Sequence, residues 1–230
     1  MATLERLYPV PDWSRRMTPF EVLISTVLSQ STTVANERRG FADLRARFGA
    51  VTPDRLATAH LRDIGAAIWH AGLARQKAAR IQTIAQIVRD RWGGDLHAIL
   101  ALPTDRARAE LTALPGVGPK TADVVLAMAG GHPTFPVDTH VARIARRWDL
   151  TDRSDYERIR NALEAWTPPG KRKAWHLAMI AHGRALCTAR NPRCEDCPVR
   201  NQCDWYRRRE RLGRRRSEPR ANKRLRRLKK

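Results

Sequence analysis

Four cysteines, the only four in the chain, stand near its C-terminal end as Cys187-x6-Cys194-x2-Cys197-x5-Cys203. Thiolates are soft ligands, and four of them joined by short loops can close on one metal or iron-sulfur centre. Cysteines used only for packing would fall at helical or strand periods, and these follow neither. Zinc is the rival of an iron-sulfur cluster. Zinc ribbons, however, usually carry two Cys-x2-Cys knuckles, and only Cys194 and Cys197 are so paired. The spacing leaves both metals open. Two disulfides would require an oxidising compartment. No secretion signal is expected, because Met1 to Phe20 holds Asp12, Arg15 and Arg16 and lacks an apolar run.

A second group of residues is Leu114-Pro115-Gly116-Val117-Gly118-Pro119-Lys120-Thr121-Ala122. Glycines there permit a tight hairpin between two helices and leave backbone N–H groups free to approach a phosphate at the start of the second helix. Such a hairpin grips a nucleic-acid backbone without reading bases. Taken alone, Pro-Gly-x-Gly is more often a plain turn. Further on, Val137-Asp138-Thr139-His140 precedes an apolar stripe of Val141, Ile144, Ala145 and Trp148. Asp138 therefore reads as a helix N-cap, which by itself would explain it.

These groups must be positioned by helices. Apolar residues recur at helical spacing between Pro, Gly and Asp punctuation, without alternating strands, so an all-α fold is expected. Thr18-Pro19-Phe20-Glu21 reads as a capping box with proline at the first helical position, followed by the stripe Phe20, Leu23, Ile24, Val27 and Leu28. A helix is expected from Gln76 to Trp92, ended by Gly93-Gly94. Another is expected over Asp155 to Trp166, announced by Ser154-x-x-Glu157. A further one, Ala174 to Leu186, leads into the cysteines. No run approaches the length of a membrane span.

The formal net charge of the 230-residue chain is +21. Residues 207–230 hold fourteen Lys/Arg against Glu210 and Glu218, so they carry +12 and leave +9 for the rest. The partner this implies is a polyanion, nucleic acid before acidic membrane. The segment 207–230 reads as a basic, disordered tail that adds salt-dependent grip but no chemistry.

Together, the Leu-Pro-Gly-Val-Gly-x-Lys-Thr-Ala hairpin, the Val-Asp-Thr-His segment and the cysteine spacing resemble the helix-hairpin-helix DNA glycosylases, most closely the endonuclease III family. The resemblance runs from Thr18 to Tyr206. It implies a [4Fe-4S] cluster on Cys187, Cys194, Cys197 and Cys203. It implies further that Lys120 is the amine that attacks C1′ of a damaged nucleotide and becomes a Schiff base. To do so it must lose its proton, and burial or nearby cations must depress its pKa from about 10.4. Asp138 is then the carboxylate that assists that deprotonation and opposes positive charge on the sugar. Gln30 matches the residue that fills the space of the extruded base, and Leu73 the wedge into the opposite strand. Gly116, Val117 and Gly118 would hold the backbone. His140, Arg190 and Arg193, with Arg200, are further candidates for phosphate contact, although a histidine beside a helix start is commonly structural.

The function implied is base-excision repair by a bifunctional glycosylase and abasic-site lyase acting as a monomer on damaged duplex DNA. Oxidised pyrimidines are the expected targets, and the expected location is the cytoplasm, with the nucleoid if prokaryotic. Residues 18–131 are expected to form a central helical domain. Residues 1–17 and 132–206 would form a second domain around the cluster, with the active site in the cleft between. One departure bears on substrate: endonuclease III typically reads Gln-Ala-Thr-Asp where this chain has Gln30-Ser31-Thr32-Thr33, so an acidic residue is missing near the lesion pocket. The alternatives are a mismatch-directed thymine or uracil glycosylase and a non-catalytic iron-sulfur protein that binds DNA. Adenine-mismatch enzymes lack the lysine and thymine-mismatch enzymes typically carry tyrosine there, so Lys120 speaks against both. A non-catalytic module would need neither Lys120 nor Asp138.

Overall fold

Thr18 opens the first long helix as its composition requires. Its hydroxyl accepts the Glu21 N–H at 3.2 Å while the Glu21 carboxylate accepts the Thr18 N–H at 2.8 Å. The computed structural model describes residues 1–9 and 12–217, and within them the regular structure is entirely helical. In chain order the helices are α1 (Ala2–Leu7), α2 (Pro19–Leu28), α3 (Val34–Phe48), α4 (Pro53–Thr58) and α5 (Leu61–Ala67). There follow α6 (Ala74–Trp92), α7 (His97–Leu100), α8 (Thr104–Thr112) and α9 (Pro119–Met128). The last are α10 (Thr139–Arg147), α11 (Tyr156–Trp166), α12 (Arg172–Ala185) and α13 (Asp204–Ser217). No described helix is long and apolar enough to cross a membrane.

Burial divides these helices around separate apolar clusters. The larger runs from Phe20 to Met128 and joins α2, α4, α6 and α9 through Leu23, Val27, Leu56, Ile81, Ile84 and Val125. A second gathers Phe135, Val141, Ile144, Leu163 and Met179 from α10, α11 and α12 and the loop that leads into α10. A third brings Leu4 of α1 against Ala178 and Val199. The N-terminal helix thus packs on late segments, tied also by Glu5 to Lys171 at 2.9 Å and to Trp175 Nε1 at 3.0 Å.

Two local expectations are corrected. The cap of α11 is Asp155, whose carboxylate accepts the Arg158 N–H at 3.0 Å, in place of Ser154. Asp is the stronger cap for an N-terminus because its charge also opposes the helix dipole. Residues 207–217 are not a disordered tail but continue α13. The helix is carried past Cys203 by Asp204, which pairs with Arg207 at 2.6 Å, and by Arg208, which reaches Asp149 at 3.1 Å. The remainder of the expected tail, 218–230, lies outside the described residues.

Candidate active site and cysteine loop

The turn 113–118 between α8 and α9 forms the glycine hairpin. Gly116 adopts φ 74°, a conformation only glycine takes without strain, whereas Gly118 is extended at φ −90° and caps α9. Both glycines are exposed, but Val117 is not: its side chain is buried and its N–H donates to the Leu114 carbonyl at 3.1 Å. Val117 therefore anchors the hairpin to the core and leaves its neighbours' backbone at the surface.

Pro119 occupies the first position of α9 and Lys120 the second. Lys120 is half-buried, with no ion pair or hydrogen bond among the described residues. Burial is the main cause that lowers its pKa; Arg184 lowers it further, and the charge of Asp138 opposes both. The positive end of the α9 dipole acts in the same direction as burial. Asp138 caps α10, as its place in the sequence predicts, with Oδ1 accepting the Val141 N–H at 2.8 Å. An amine with a depressed pKa and a carboxylate whose charge acts on it thus stand at the starts of helices whose apolar faces belong to the two larger clusters. His176 of α12 lies within reach of both charges. It is 3% exposed, edge-on to Phe135, and burial holds its imidazole well below the usual range and therefore neutral.

What holds the two sides in register is a buried polar network with no local sequence signature. Asp123 of α9, fully buried, accepts Arg108 Nε at 2.9 Å, Thr134 Oγ1 at 2.9 Å and the Tyr156 hydroxyl at 2.7 Å. Thr134 also meets Glu164 at 2.9 Å, which in turn accepts the Phe135 N–H at 3.0 Å. The helix of Lys120 is thereby joined to the segment that delivers Asp138. The only clue in the sequence is a carboxylate inside the apolar run Ala122-Asp123-Val124-Val125.

Gln30 follows α2 and reaches the hairpin: its Nε2 donates to the Gly116 carbonyl at 3.1 Å and to Thr121 Oγ1 at 3.3 Å. Leu73 precedes α6, is 52% exposed, and holds φ 51° in the left-handed region. Trp69, at 72% exposure, stands close to it in sequence and is an exposed aromatic that the sequence did not single out. Thr33, which replaces the expected acid, caps α3 by accepting the Asn36 N–H at 3.2 Å. Thr and Asp both serve as N-caps, so the exchange removes a charge without loss of the helix start.

The four cysteines form no disulfide and line one space, partly open to solvent, with Arg147, Trp148, His182 and Trp205. Four soft thiolates around one space fit a cluster whose irons each take one thiolate. Arg147, buried at the end of α10, organises the loop. Its guanidinium donates to Cys187 Sγ at 3.1 Å and to the carbonyls of Thr188 and Ala189 at 2.8 and 3.1 Å, and lies 4.7 Å from the Trp205 ring centre. Neither Arg147 nor Asp123 was among the residues picked out by motif.

Of the basic candidates, Arg190 and Arg193 are exposed, Arg193 donating to the Ala185 carbonyl at 2.9 Å. Arg200 instead folds back on the Glu195 carbonyl at 2.5 Å, a local partner that competes with phosphate. His140 Nδ1 lies 2.9 Å from Arg143, and a side chain at Gly183 would come within 2.8 Å of the His140 Cβ. His140 is thus packed into the α10–α12 contact, with one ring nitrogen already engaged.

The family model for HhH-GPD superfamily base excision DNA repair proteins matches residues 24–169, and that for the iron-sulfur binding domain of endonuclease III matches residues 187–203. Endonuclease III of Thermotoga maritima is 38% identical over 191 residues, covering 83% of this chain and 85% of that protein. Endonuclease III of Escherichia coli is 34% identical over 187 residues, covering 81% and 84%. Among solved structures, a trapped endonuclease III–DNA covalent intermediate in an estranged-adenine complex matches with a TM-score of 0.78 and 31% identity, covering 91% of this chain and 94% of that one. A thermostable thymine-DNA glycosylase also reaches 0.78, at 22% identity over 90% of this chain and 94% of that one, a likeness of fold alone. The chain belongs to the endonuclease III family of helix-hairpin-helix base excision repair proteins, with the family's iron-sulfur loop at its C-terminal side.

Proposed function

We propose that this protein excises oxidised pyrimidines from duplex DNA and cleaves the strand at the resulting abasic site. The observation that carries this reading is Lys120 at the hairpin exit, its pKa lowered by burial while the Asp138 charge acts on it from the start of α10. As a free amine Lys120 attacks C1′, the C1′–N bond breaks, and the base leaves with the electron pair. Asp138 opposes the positive charge that builds on the sugar and receives the amine proton. The ring oxygen then leaves C1′ with its electron pair and takes up that proton from Asp138, which gives the protonated imine. The imine draws electron density from C2′, so a 2′ proton is lost and the C3′–O bond breaks. Glycosylase and lyase steps share one lysine.

The surrounding residues supply binding. Gln30 enters the space of the extruded base, Leu73 wedges the opposite strand, and Gly116 and Gly118 present the hairpin backbone to phosphate. Arg190, Arg193 and His140 add phosphate contacts. Cys187, Cys194, Cys197 and Cys203 hold the [4Fe-4S] cluster, which when bound cross-links the 187–203 loop. The two larger apolar clusters correspond in this reading to domains 18–131 and 1–17 with 132–206, and the protein works on damaged duplex as a monomer.

Incision assays test the assignment with duplexes bearing thymine glycol, a uracil·guanine or thymine·guanine mismatch, or an abasic site. Thymine glycol and abasic duplexes are expected to be nicked with an unsaturated aldehyde at the 3′ end. Excision confined to the mismatches, or release of base that leaves the strand intact, would overturn it.

A further inference from the structure

Lys77 is a lysine on the wrong face of its helix. It lies one turn before Ile81, on the stripe that continues through Ile84 and Val88, and it is 1% exposed. Its Nζ donates to three backbone carbonyls: Leu28 at 2.7 Å, Gln30 at 2.6 Å and Ala71 at 2.9 Å. Three acceptors on one amine require three N–H bonds, which only the ammonium form has. No carboxylate is paired with it among the described ion pairs, and burying a charge without one is costly. A methionine would fill the same stripe without that cost. What only the ammonium can do is draw these carbonyls to one point.

The carbonyls belong to two distant segments. Leu28 ends α2 and Gln30 follows it; Ala71 ends the short 3-10 turn Trp69–Ala71 that leads through Gly72 to Leu73. Helix ends direct unsatisfied carbonyls outward, a natural seat for a cation. Each segment turns sharply just past the clasp. Ser31 and Leu73 are two of the three non-glycine residues with positive φ among those described, at 53° and 51°. Such strain persists only where the surroundings hold it.

We propose that Lys77 is a positioning residue that clasps the Gln30 and Leu73 segments into one rigid element for entering the duplex. The proposal rests on the DNA contacts assigned above to these two residues. Leu73 pushes into a base stack, so its backbone must not yield, and the Ala71 carbonyl fixes it to Lys77. The same ammonium holds the main chain of Gln30, whose side chain is docked on Gly116 of the hairpin and on Thr121, which follows Lys120. Wedge, gap-filling residue and nucleophile are thus mechanically continuous.

The test compares Lys77→Met, Leu73→Ala and the double variant in the full-length protein, measuring borohydride-trapped adduct on an abasic site in duplex and in single-stranded DNA. A single strand needs no wedge, so the duplex-to-single-strand ratio isolates positioning from folding and from Lys120 chemistry. Lys77→Met is expected to lower that ratio by about tenfold, as for loss of orientation by an ångström or less. The double variant should fall no further than the worse single, because both act on one element. A ratio within twofold of wild type, or effects that multiply, overturns the clasp. A Leu73→Ala protein with the wild-type ratio overturns the wedge assignment itself, and the clasp's function with it. Should Lys77→Met not fold, hydrogen exchange of the wild-type protein decides: segments 28–31 and 71–74 are expected to exchange together and to slow together on a duplex bearing a tetrahydrofuran abasic analogue. Independent exchange contradicts the proposal.

Discussion

Asp138 Oδ1 accepts the Val141 N–H at 2.8 Å, so the carboxylate whose charge reaches Lys120 is also the cap of α10. Its structural and chemical duties can be separated, because asparagine caps as well as aspartate but carries no charge. Asp138→Asn should keep the melting temperature and lose most of the base-release rate. Asp138→Ala should lose both, with a stability cost of about 1 kcal/mol or 2–4 °C. Thermal melting beside single-turnover excision measures the two effects. Equal melting losses for Asn and Ala would contradict the capping role.

In the proposed mechanism Lys120 reacts as the free amine, so the pH profile of imine formation should report its state. Arg184 lowers the Lys120 pKa and Asp138 raises it. Removing the cation in Arg184→Met therefore leaves the amine protonated to higher pH, and the acid limb of the profile moves up. Asp138→Asn moves that limb down even as the maximum rate falls. Rates of trapped-adduct formation across pH on an abasic duplex check the two opposite displacements.

Gly116 and Gly118 predict different losses. At φ 74°, with Arg80 Cδ 2.8 Å from the position of a new Cβ, Gly116→Ala strains the backbone and should destabilise the fold by about 1–2 kcal/mol. Gly118 has φ −90° and open space where a Cβ would sit. Gly118→Ala should thus lose only the modest advantage of glycine over alanine as the cap of α9, less than Gly116→Ala loses, yet bind duplex DNA more weakly, because the added methyl obstructs phosphate. Melting and salt-dependent binding of each variant separate hairpin folding from phosphate contact.

Arg147 should govern retention of the cluster. It donates to Cys187 Sγ and to the carbonyls at 188 and 189, and stacks on Trp205. Arg147→Met removes every one of these donors in a buried place, so iron content and the broad visible absorption should fall and the band should bleach faster in air. Arg147→Lys is expected to be intermediate, since an ammonium cannot span the same forked set. Iron analysis of each purified variant is the check.

The parts of this molecule that were legible in the sequence are those fixed by near neighbours. The Thr18–Glu21 box, Gly93 at the end of α6, the Asp138 cap and the glycine hairpin each depend on a few adjacent residues, and each forms in the structure. Side chains whose partners are far along the chain left almost no trace. Asp123 acts through Arg108, Thr134 and Tyr156, and Arg147 through a loop forty residues on. Lys77 went unmarked in the sequence, because its three partners lie in segments that only the tertiary fold brings together. Residues 207–217 read as a tail for a related reason: a run of arginines repels itself unless acids such as Asp204 and Asp149 are placed against it.

The central claim is that Lys120 is the nucleophile. Borohydride added to the protein on an abasic-site duplex should give a covalent complex, and peptide mass analysis should place the sugar remnant on the Lys120 amine. Lys120→Gln, which keeps the length of α9 and the fold, should abolish the adduct while duplex binding persists. An undiminished adduct in Lys120→Gln, or a remnant mapped to another lysine, would contradict the account.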